Sequence, residues 1–199
     1  MDLKDVSRET RDDLEVYVSL LLKWTKSINL IGKSTKEDVW GRHIADSLQL
    51  WPLIRPTDKA LDLGSGGGLP AVVLAILSKH DQRFEHITMI EADLRKSTFL
   101  QTCIRTLGLK ASVLTRRISD APPQDASLVT ARALASLDTL CEMAHQHAAP
   151  GAQLLFPKGE RAGAEIAQAQ ENWRFSLIEH PSKTDHKATI LELGDLARV

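Results

Sequence analysis

The fold is decided by one short stretch, which reads Leu61-Asp62-Leu63-Gly64-Ser65-Gly66-Gly67-Gly68-Leu69-Pro70. Apolar runs lead into it at 60–63 and out of it at 71–77. Glycine reaches backbone conformations with positive φ and lets a ligand approach the main chain closely. Pro70 suits the first turn of a helix, where an N–H is not needed. The pattern predicts a buried strand, a tight turn and a helix start whose free N–H groups face a nucleotide-type cofactor.

The length, composition and net charge are those of an ordinary globular protein. Its 199 residues suffice for one well-buried domain, and a net charge of −1 gives no overall attraction for nucleic acid, so any basic surface must be local. The two cysteines, Cys103 and Cys141, lack metal-site or disulfide spacing and are expected in helix cores. The charged N-terminus lacks an apolar signal segment, and no apolar run approaches the roughly 20 residues of a membrane span. We therefore expect a cytoplasmic protein without membrane association.

The first 56 residues are predicted to form a helical extension. Apolar residues at helical spacing predict one helix over 8–28. A second helix is expected to start at the capping residue Thr35 and to end before Pro52. No strand pattern interrupts this part of the chain.

From residue 58 onward, short apolar strands alternate with helical segments. Strands are expected at 60–63, 87–90, 112–114, 127–131, 152–156, 175–180 and 188–193, and helices at 69–79, 95–107, 137–147 and 160–172. This alternation predicts an α/β fold with a mostly parallel sheet covered on both faces. The last two strands leave no room for a helix and should form an antiparallel hairpin. This is the Rossmann-like, seven-stranded layout of class I S-adenosylmethionine-dependent methyltransferases, so 57–199 is expected to be a methyltransferase domain forming one compact unit.

Two cofactors compete for the glycine stretch. Residues 66–71 match the dinucleotide pattern G-x-G-x-x-A, whereas 62–68 match D-x-G-x-G-x-G, a pattern typical of S-adenosylmethionine sites. The carboxylate of Asp62 decides between them, because it can hold the methionine amino group but would repel a pyrophosphate. Asp62, Gly64, Gly66 and Gly68 are therefore candidate cofactor residues. Glu91, at the end of the next strand, is placed to accept hydrogen bonds from ribose hydroxyls, which fits either cofactor.

Cations cluster in the middle of the chain. Residues 94–119 contain no acid but include Arg95, Lys96, Arg105, Lys110, Arg116 and Arg117. The cluster is either a phosphate-binding surface or a solvated helix face, and the sequence leaves both open. Arg132 and Lys158 follow the fourth and fifth strands, where parallel sheets place their ligand crevice. The two cations together favour an anionic substrate.

The second helix carries a polar group of residues. His43, Asp46 and Ser47 share a face at positions i, i+3 and i+4. Residues on adjacent turns of one helix rarely form a hydrolytic triad, so a surface hydrogen-bond pair is the favoured interpretation. The histidines lack metal-ligand spacing, and no metal is expected.

Five motifs together resemble one family, the RsmG (GidB) family of 16S rRNA guanine-N7 methyltransferases. They are the glycine stretch, Asn29-Leu30-Ile31, Arg42-His43-Ile44-Ala45-Asp46-Ser47-Leu48, Thr130-Ala131-Arg132-Ala133-Leu134-Ala135-Ser136-Leu137 and Pro157-Lys158-Gly159. The resemblance implies an S-adenosylmethionine site at Gly64, Leu69, Glu91, Arg132 and the backbone of Ile118 and Ser119. The family usually has Glu where this chain has Ser119, which would alter a side-chain contact but not a backbone contact to adenine.

The resemblance also implies a set of rRNA-facing residues, to which the basic cluster adds Arg116. They are Asn29, Arg42, His43, Ser47, Arg95, Lys96, Arg116, Arg132 and Lys158. No residue is expected to be an indispensable general base, because guanine N7 needs no deprotonation. His43, Arg132 and Lys158 are the candidates for positioning the reactants.

Three other functions remain open from the sequence. The chain could methylate another RNA or a small molecule, or it could be a non-catalytic S-adenosylmethionine-binding module in ribosome assembly. A nicotinamide-dependent oxidoreductase is the most distant alternative. The expected partner is 16S rRNA in the small ribosomal subunit, and the expected state is a cytoplasmic monomer.

Overall fold

A computed structural model describes residues 3–32 and 36–199 and contains one seven-stranded sheet in the order β3-β2-β1-β4-β5-β7-β6. The strands are β1 (Thr57–Leu63), β2 (Phe84–Ile90), β3 (Ala111–Leu114), β4 (Ala126–Thr130), β5 (Ala148–Lys158), β6 (Trp173–Pro181) and β7 (Thr189–Arg198). β1 to β5 pair in parallel, and β7 is antiparallel to both β5 and β6. The predicted mostly parallel sheet with a terminal antiparallel hairpin is confirmed.

Helices cover both faces of this sheet. They are α1 (Arg8–Thr25), α2 (Asp46–Leu48), α3 (Ala71–Asp81), α4 (Leu94–Leu107), α5 (Leu137–His147) and α6 (Ala162–Ala169). One hydrophobic core lies between the sheet and α1, α3 and α4, and a second lies between the sheet and α5 and α6. β1 to β5 and β7 divide their side chains between the two cores, as Ala60 and Leu61 of β1 do, whereas β6 contributes only to the second.

The N-terminal extension shares the first of these cores. Leu14 and Leu21 of α1 are fully buried in the same cluster as Val72 and Phe99. The Tyr17 hydroxyl donates a 2.6 Å hydrogen bond to the carbonyl oxygen of Gly67, inside the glycine stretch. α1 therefore packs directly beneath the loop that was expected to hold the cofactor.

The second helix differs from the prediction. Its expected start at Thr35 lies outside the described residues, and the described part is a π-helix over Trp40–Ala45 that runs into the short α2. A 3-10 turn, Trp51–Leu53, follows. π-helical turns are wider than α-helical turns, so the residues that share a face differ from those expected at α-helical spacing.

In residues 3–32 and 36–199, no helix has both the length and the apolar character needed to cross a bilayer.

Candidate functional site

The glycine stretch forms the turn between β1 and α3, and its glycines serve different purposes. Gly64, Gly66 and Gly68 all have positive φ, at 65°, 54° and 82°. A Cβ atom on Gly68 would lie 2.5 Å from Cγ2 of Val72, so this glycine is required by the packing of the turn against α3. A Cβ on Gly66 would meet nothing closer than 3.8 Å, which leaves its backbone open to a ligand.

A cavity of about 760 Å³ lies above this turn, at the carboxyl ends of the parallel strands. Seven of the predicted cofactor residues meet in its wall, namely Gly64, Gly66, Leu69, Glu91, Ile118, Ser119 and Arg132. Two others do not lie in the wall: Gly68 packs against the protein core, and Asp62 is buried behind the wall. The volume is in the range of small-molecule and cofactor sites.

Glu91 fixes one side of this cavity. It is only 8% exposed, and its two carboxylate oxygens accept hydrogen bonds from the backbone N–H groups of Gly66, at 2.7 Å, and Asp93, at 2.8 Å. These bonds hold the carboxylate rigidly at the end of β2. Each oxygen keeps a second lone pair, so the group can still accept hydrogen bonds from ribose hydroxyls.

Asp62 carries the most unusual carboxylate of the site. It is 1% exposed, and its Oδ1 accepts a 2.6 Å hydrogen bond from the hydroxyl of Thr130. Its Oδ2 is buried and has no hydrogen-bond partner among the described residues. Burial raises the pKa of Asp62 to about 6. A buried carboxylate oxygen without a donor is costly, so this atom fits a ligand that brings a positively charged donor, such as the amino group of a methionine moiety.

The far wall is a short turn, the 3-10 helix Ile118–Asp120, held in place by the end of α5. The His147 Nε2 lies 3.0 Å from the carbonyl oxygen of Ile118, and the Gln146 amide donates to the carbonyls of Ser119 and Ala121. Since a carbonyl only accepts, His147 must carry its proton on Nε2. Sequence reasoning missed Gln146 and His147, and their positions in the chain carry no signal of this contact.

Arg132 stands at the boundary between this cavity and a second one of about 460 Å³. Its guanidinium donates to Oδ2 of Asp46 at 3.0 Å, and its other terminal nitrogen lies 3.2 Å from Nδ1 of His43. The next residue, Ala133, has φ of 52°, a conformation that non-glycine residues rarely adopt. Polar side chains of the second cavity include those of Arg42, His43, Asp46, Lys158, Thr184 and Asp185.

His43 is neutral in this setting. Burial and the neighbouring Arg132 guanidinium lower the pKa of His43 to about 4. Because Arg132 can only donate, Nδ1 of His43 is the acceptor and the ring proton lies on Nε2. The interpretation of His43 and Ser47 as a surface pair is wrong: His43 is 8% exposed, and Ser47 is fully buried with its hydroxyl bonded to the carbonyl of His43. Ser47 belongs to α2 and its side chain lies inside the protein; whether it contacts RNA stays a prediction.

Lys158 lines the second cavity, and its ammonium is paired within the protein. It is 9% exposed, and its ammonium donates to the carbonyl of Ala135 at 2.7 Å and to the Glu165 carboxylate at 2.8 Å. The same oxygen of Glu165 accepts from the backbone N–H of Leu137. The charge of Lys158 is therefore paired within the protein, and its ammonium holds the segment that follows Arg132.

The other predicted RNA residues lie at varied distances from the two cavities. Lys96 and Arg116 line the first cavity together with Arg117, and Arg95 is exposed beside them at the start of α4. Asn29 is exposed in a separate depression at the end of α1. Whether these residues contact RNA stays a prediction.

Comparison with known sequences points to a single family. A family model described as rRNA small subunit methyltransferase G matches residues 10–192. A ribosomal RNA small subunit methyltransferase G of Cereibacter sphaeroides is 47% identical over 98% of this chain and 94% of its own length. The protein of the same name from Dinoroseobacter shibae is 44% identical over 95% of this chain and 97% of its own.

Solved structures share the fold at low sequence identity. A putative class I S-adenosylmethionine-dependent methyltransferase from Listeria monocytogenes has a TM-score of 0.60 at 16% identity, over 98% of this chain and 70% of its own. TYW2 from M. jannaschii, solved in complex with AdoMet, has a TM-score of 0.58 at 12% identity, over 88% of this chain and 80% of its own.

Proposed function

The chain belongs to the rRNA small subunit methyltransferase G family (GidB), and on this premise we propose that it methylates N7 of a specific guanine in 16S rRNA with S-adenosylmethionine. The observation that carries the proposal is the meeting of two cavities at Arg132. One cavity has the size and polar groups for the methyl donor. The other, beside it, offers space and charged groups for an acceptor base.

The residues of the larger cavity fit S-adenosylmethionine. The unpartnered Oδ2 of Asp62 suits the methionine amino group, the Glu91 carboxylate suits the ribose hydroxyls, and the Ile118–Ser119 backbone suits the adenine. When bound, S-adenosylmethionine supplies a methyl group that is electrophilic because it is attached to a sulfonium. The chain's own contribution is to hold the reactants in line and to exclude water.

Guanine N7 carries an in-plane lone pair and loses no proton when it attacks a methyl group. The neutral His43 and the paired Arg132 therefore act by positioning and by electrostatics, not as proton acceptors. The methylated base gains a positive charge, which the Asp46 and Asp185 carboxylates in the second cavity would stabilise.

The exposed Arg95, Arg116 and Arg117 near the cavity mouth would meet the rRNA phosphates. We place the protein in the cytoplasm, where rRNA is its partner, and expect it to act as a monomer.

The function is tested by transfer of tritiated methyl from S-adenosylmethionine to small-subunit rRNA that lacks the modification. We expect label in 16S rRNA and none in 23S rRNA. The cationic ring of an N7-methylguanine is reduced by borohydride and the base is then lost, so borohydride followed by aniline should cleave 16S rRNA at one labelled guanine. Cofactor binding without any transfer, or label at another atom, contradicts the proposal.

The pH dependence of the reaction separates positioning from proton abstraction. Because the pKa of His43 is about 4, the ring stays neutral above pH 5, and we expect a single-turnover rate with saturating cofactor that varies little between pH 6.5 and 8.5. His43→Ala should lower this rate about 10-fold at every pH, well below the roughly 10²- to 10⁴-fold effect of losing a general base. A rate that rises with pH around 6.5 in the wild type, and not in His43→Ala, would show that His43 accepts a proton.

A further inference from the structure

Gln49 is a buried amide that ties the helical extension to the far end of the chain. It is 3% exposed, and its Nε2 lies 2.8 Å from Oδ1 of Asp46 and 3.2 Å from the hydroxyl of Ser182. Its Oε1 accepts a 2.8 Å hydrogen bond from the backbone N–H of Lys183. Both ends of the amide are therefore satisfied, and both connect to the turn between β6 and β7.

The same turn reaches Asp46 through a second side chain. The hydroxyl of Thr184 donates to Oδ1 of Asp46 at 2.9 Å. Oδ1 therefore receives donors from Gln49 and Thr184, which leaves Oδ2 to accept the hydrogen bond from Arg132. An arginine side chain has several rotatable bonds, so a fixed carboxylate is needed to keep its guanidinium in one place.

The turn is itself held by local hydrogen bonds. The backbone N–H of Ser182 donates to the carbonyl of Ala188, and that of Ala188 donates to the carbonyl of Asp185. The Asp185 carboxylate also lies 3.9 Å from the guanidinium of Arg42. The turn is thus a structured wall that faces the second cavity, and not a loose connection.

We propose that residues 182–185 act as a clamp for Arg132, with Gln49 and Thr184 as positioning residues that hold the Asp46 carboxylate in the orientation needed for methyl transfer. This inference rests on the proposed function, because Arg132 stands between the cavities assigned to donor and acceptor. It assigns a role in the reaction to the turn of the terminal hairpin, which begins 50 residues after Arg132 in the sequence.

The test removes one hydroxyl. Thr184→Val is expected to lower the single-turnover rate about 10-fold with little change in the KM for rRNA, since misplacement of a positioned group affects the rate of the chemical step. Thr184→Ser keeps the hydroxyl and should stay within about 2-fold of the wild type. Thr189→Val is the matched control: it removes a hydrogen bond to the carbonyl of His180 in the same hairpin, away from Asp46, and should leave the rate unchanged.

A double-mutant cycle shows whether Thr184 acts through Arg132. In an Arg132→Lys background, Thr184→Val should lower the single-turnover rate by less than about 2-fold, because the group that Thr184 positions is already altered. The clamp would be overturned if the rate losses of the two single variants multiplied fully in the double variant. It would also be overturned if Thr184→Val kept the wild-type rate. If Thr184→Val does not fold, Thr184→Ala takes its place in the same cycle.

A readout independent of activity uses His43. Burial and, next to it, the Arg132 guanidinium lower the pKa of His43, while Asp46, Asp38 and Arg42 have smaller effects, of which the two carboxylates raise it. Burial is the same in Thr184→Val, so a displaced Arg132 should show in an NMR titration as a pKa of His43 above about 4, and Thr184→Ser should not show this rise. An unchanged pKa of His43 in Thr184→Val contradicts the clamp even if no rRNA substrate is found. A wild-type protein that methylates nothing in 16S rRNA contradicts the proposed function instead, so the two failures are distinguishable.

Discussion

Replacing Arg132 with alanine is expected to reduce the single-turnover rate of methyl transfer to 16S rRNA by about 100-fold or more. Arg132 borders both cavities, and its guanidinium is bonded to Asp46 and lies against His43. The variant removes the group that stands between the cavities proposed for donor and acceptor, and it leaves the half-buried Asp46 carboxylate without its cation. Loss of a partly desolvated charge partner is among the more damaging changes that a site can undergo.

The matched comparison is Arg132→Lys, which keeps the charge but loses the second donor. Lysine cannot contact Asp46 and His43 with separate nitrogens, so we expect a rate between those of the wild type and Arg132→Ala. Thermal denaturation of all three proteins checks that the fold survives. An Arg132→Ala protein that retains more than about a third of the wild-type rate would remove Arg132 from the reaction.

Replacing Asp62 with asparagine is expected to weaken S-adenosylmethionine binding about 10- to 100-fold, because hydrogen bonds to charged groups contribute roughly 1.5–3 kcal/mol. The variant keeps an oxygen for the hydroxyl of Thr130 but removes the charge that suits the methionine amino group. Fluorescence or calorimetric titration with S-adenosylhomocysteine, which carries the same amino group, measures the loss. Glu85→Gln, an exposed acid on β2 outside the site, is the control.

Two further readouts distinguish a lost ligand contact from a damaged fold. The pKa of Asp62 is raised to about 6, so wild-type affinity should fall as pH drops below 6 and the affinity of Asp62→Asn should not. The raised pKa also means that Asp62 favours the folded state at low pH, and that this contribution is lost as pH rises through 6. Asp62→Asn, which has no charge to bury, should therefore be at least as stable as the wild type at pH 7. A pH-independent wild-type affinity would contradict the assignment.

Sequence patterns were sufficient for the sheet, the glycine turn and seven of the residues that line the larger cavity. These features depend on local order: a strand, its turn and the residue at its end are neighbours in the chain, and parallel strands bring their ends to one edge. Glu91 and Arg132 could therefore be placed beside Gly64 without knowing any contact. Asp62 was predicted to hold the methionine amino group; it lies buried behind the cavity wall, and that contact stays a prediction.

Contacts between distant parts of the chain could not be predicted. Lys158 lines the second cavity, but no sequence pattern indicated that Glu165 and the Ala135 carbonyl would pair with its ammonium. Ser47 was expected at the surface, but it is fully buried in α2 with its hydroxyl bonded to the carbonyl of His43. The contacts of Tyr17 with Gly67 and of His147 with Ile118 span 50 and 29 residues, and no periodic pattern reports such pairings.

The bond between Tyr17 and the Gly67 carbonyl has a practical consequence. Tyr17 is the only tyrosine in the sequence, and its hydroxyl touches the loop on which the methyl donor is proposed to rest. Biosynthetic labelling with 3-fluorotyrosine would therefore place a single fluorine on the ring that supports this loop. One resonance, with no assignment required, would then report the state of the cofactor site in the free protein, in the presence of ligand and on the ribosomal particle.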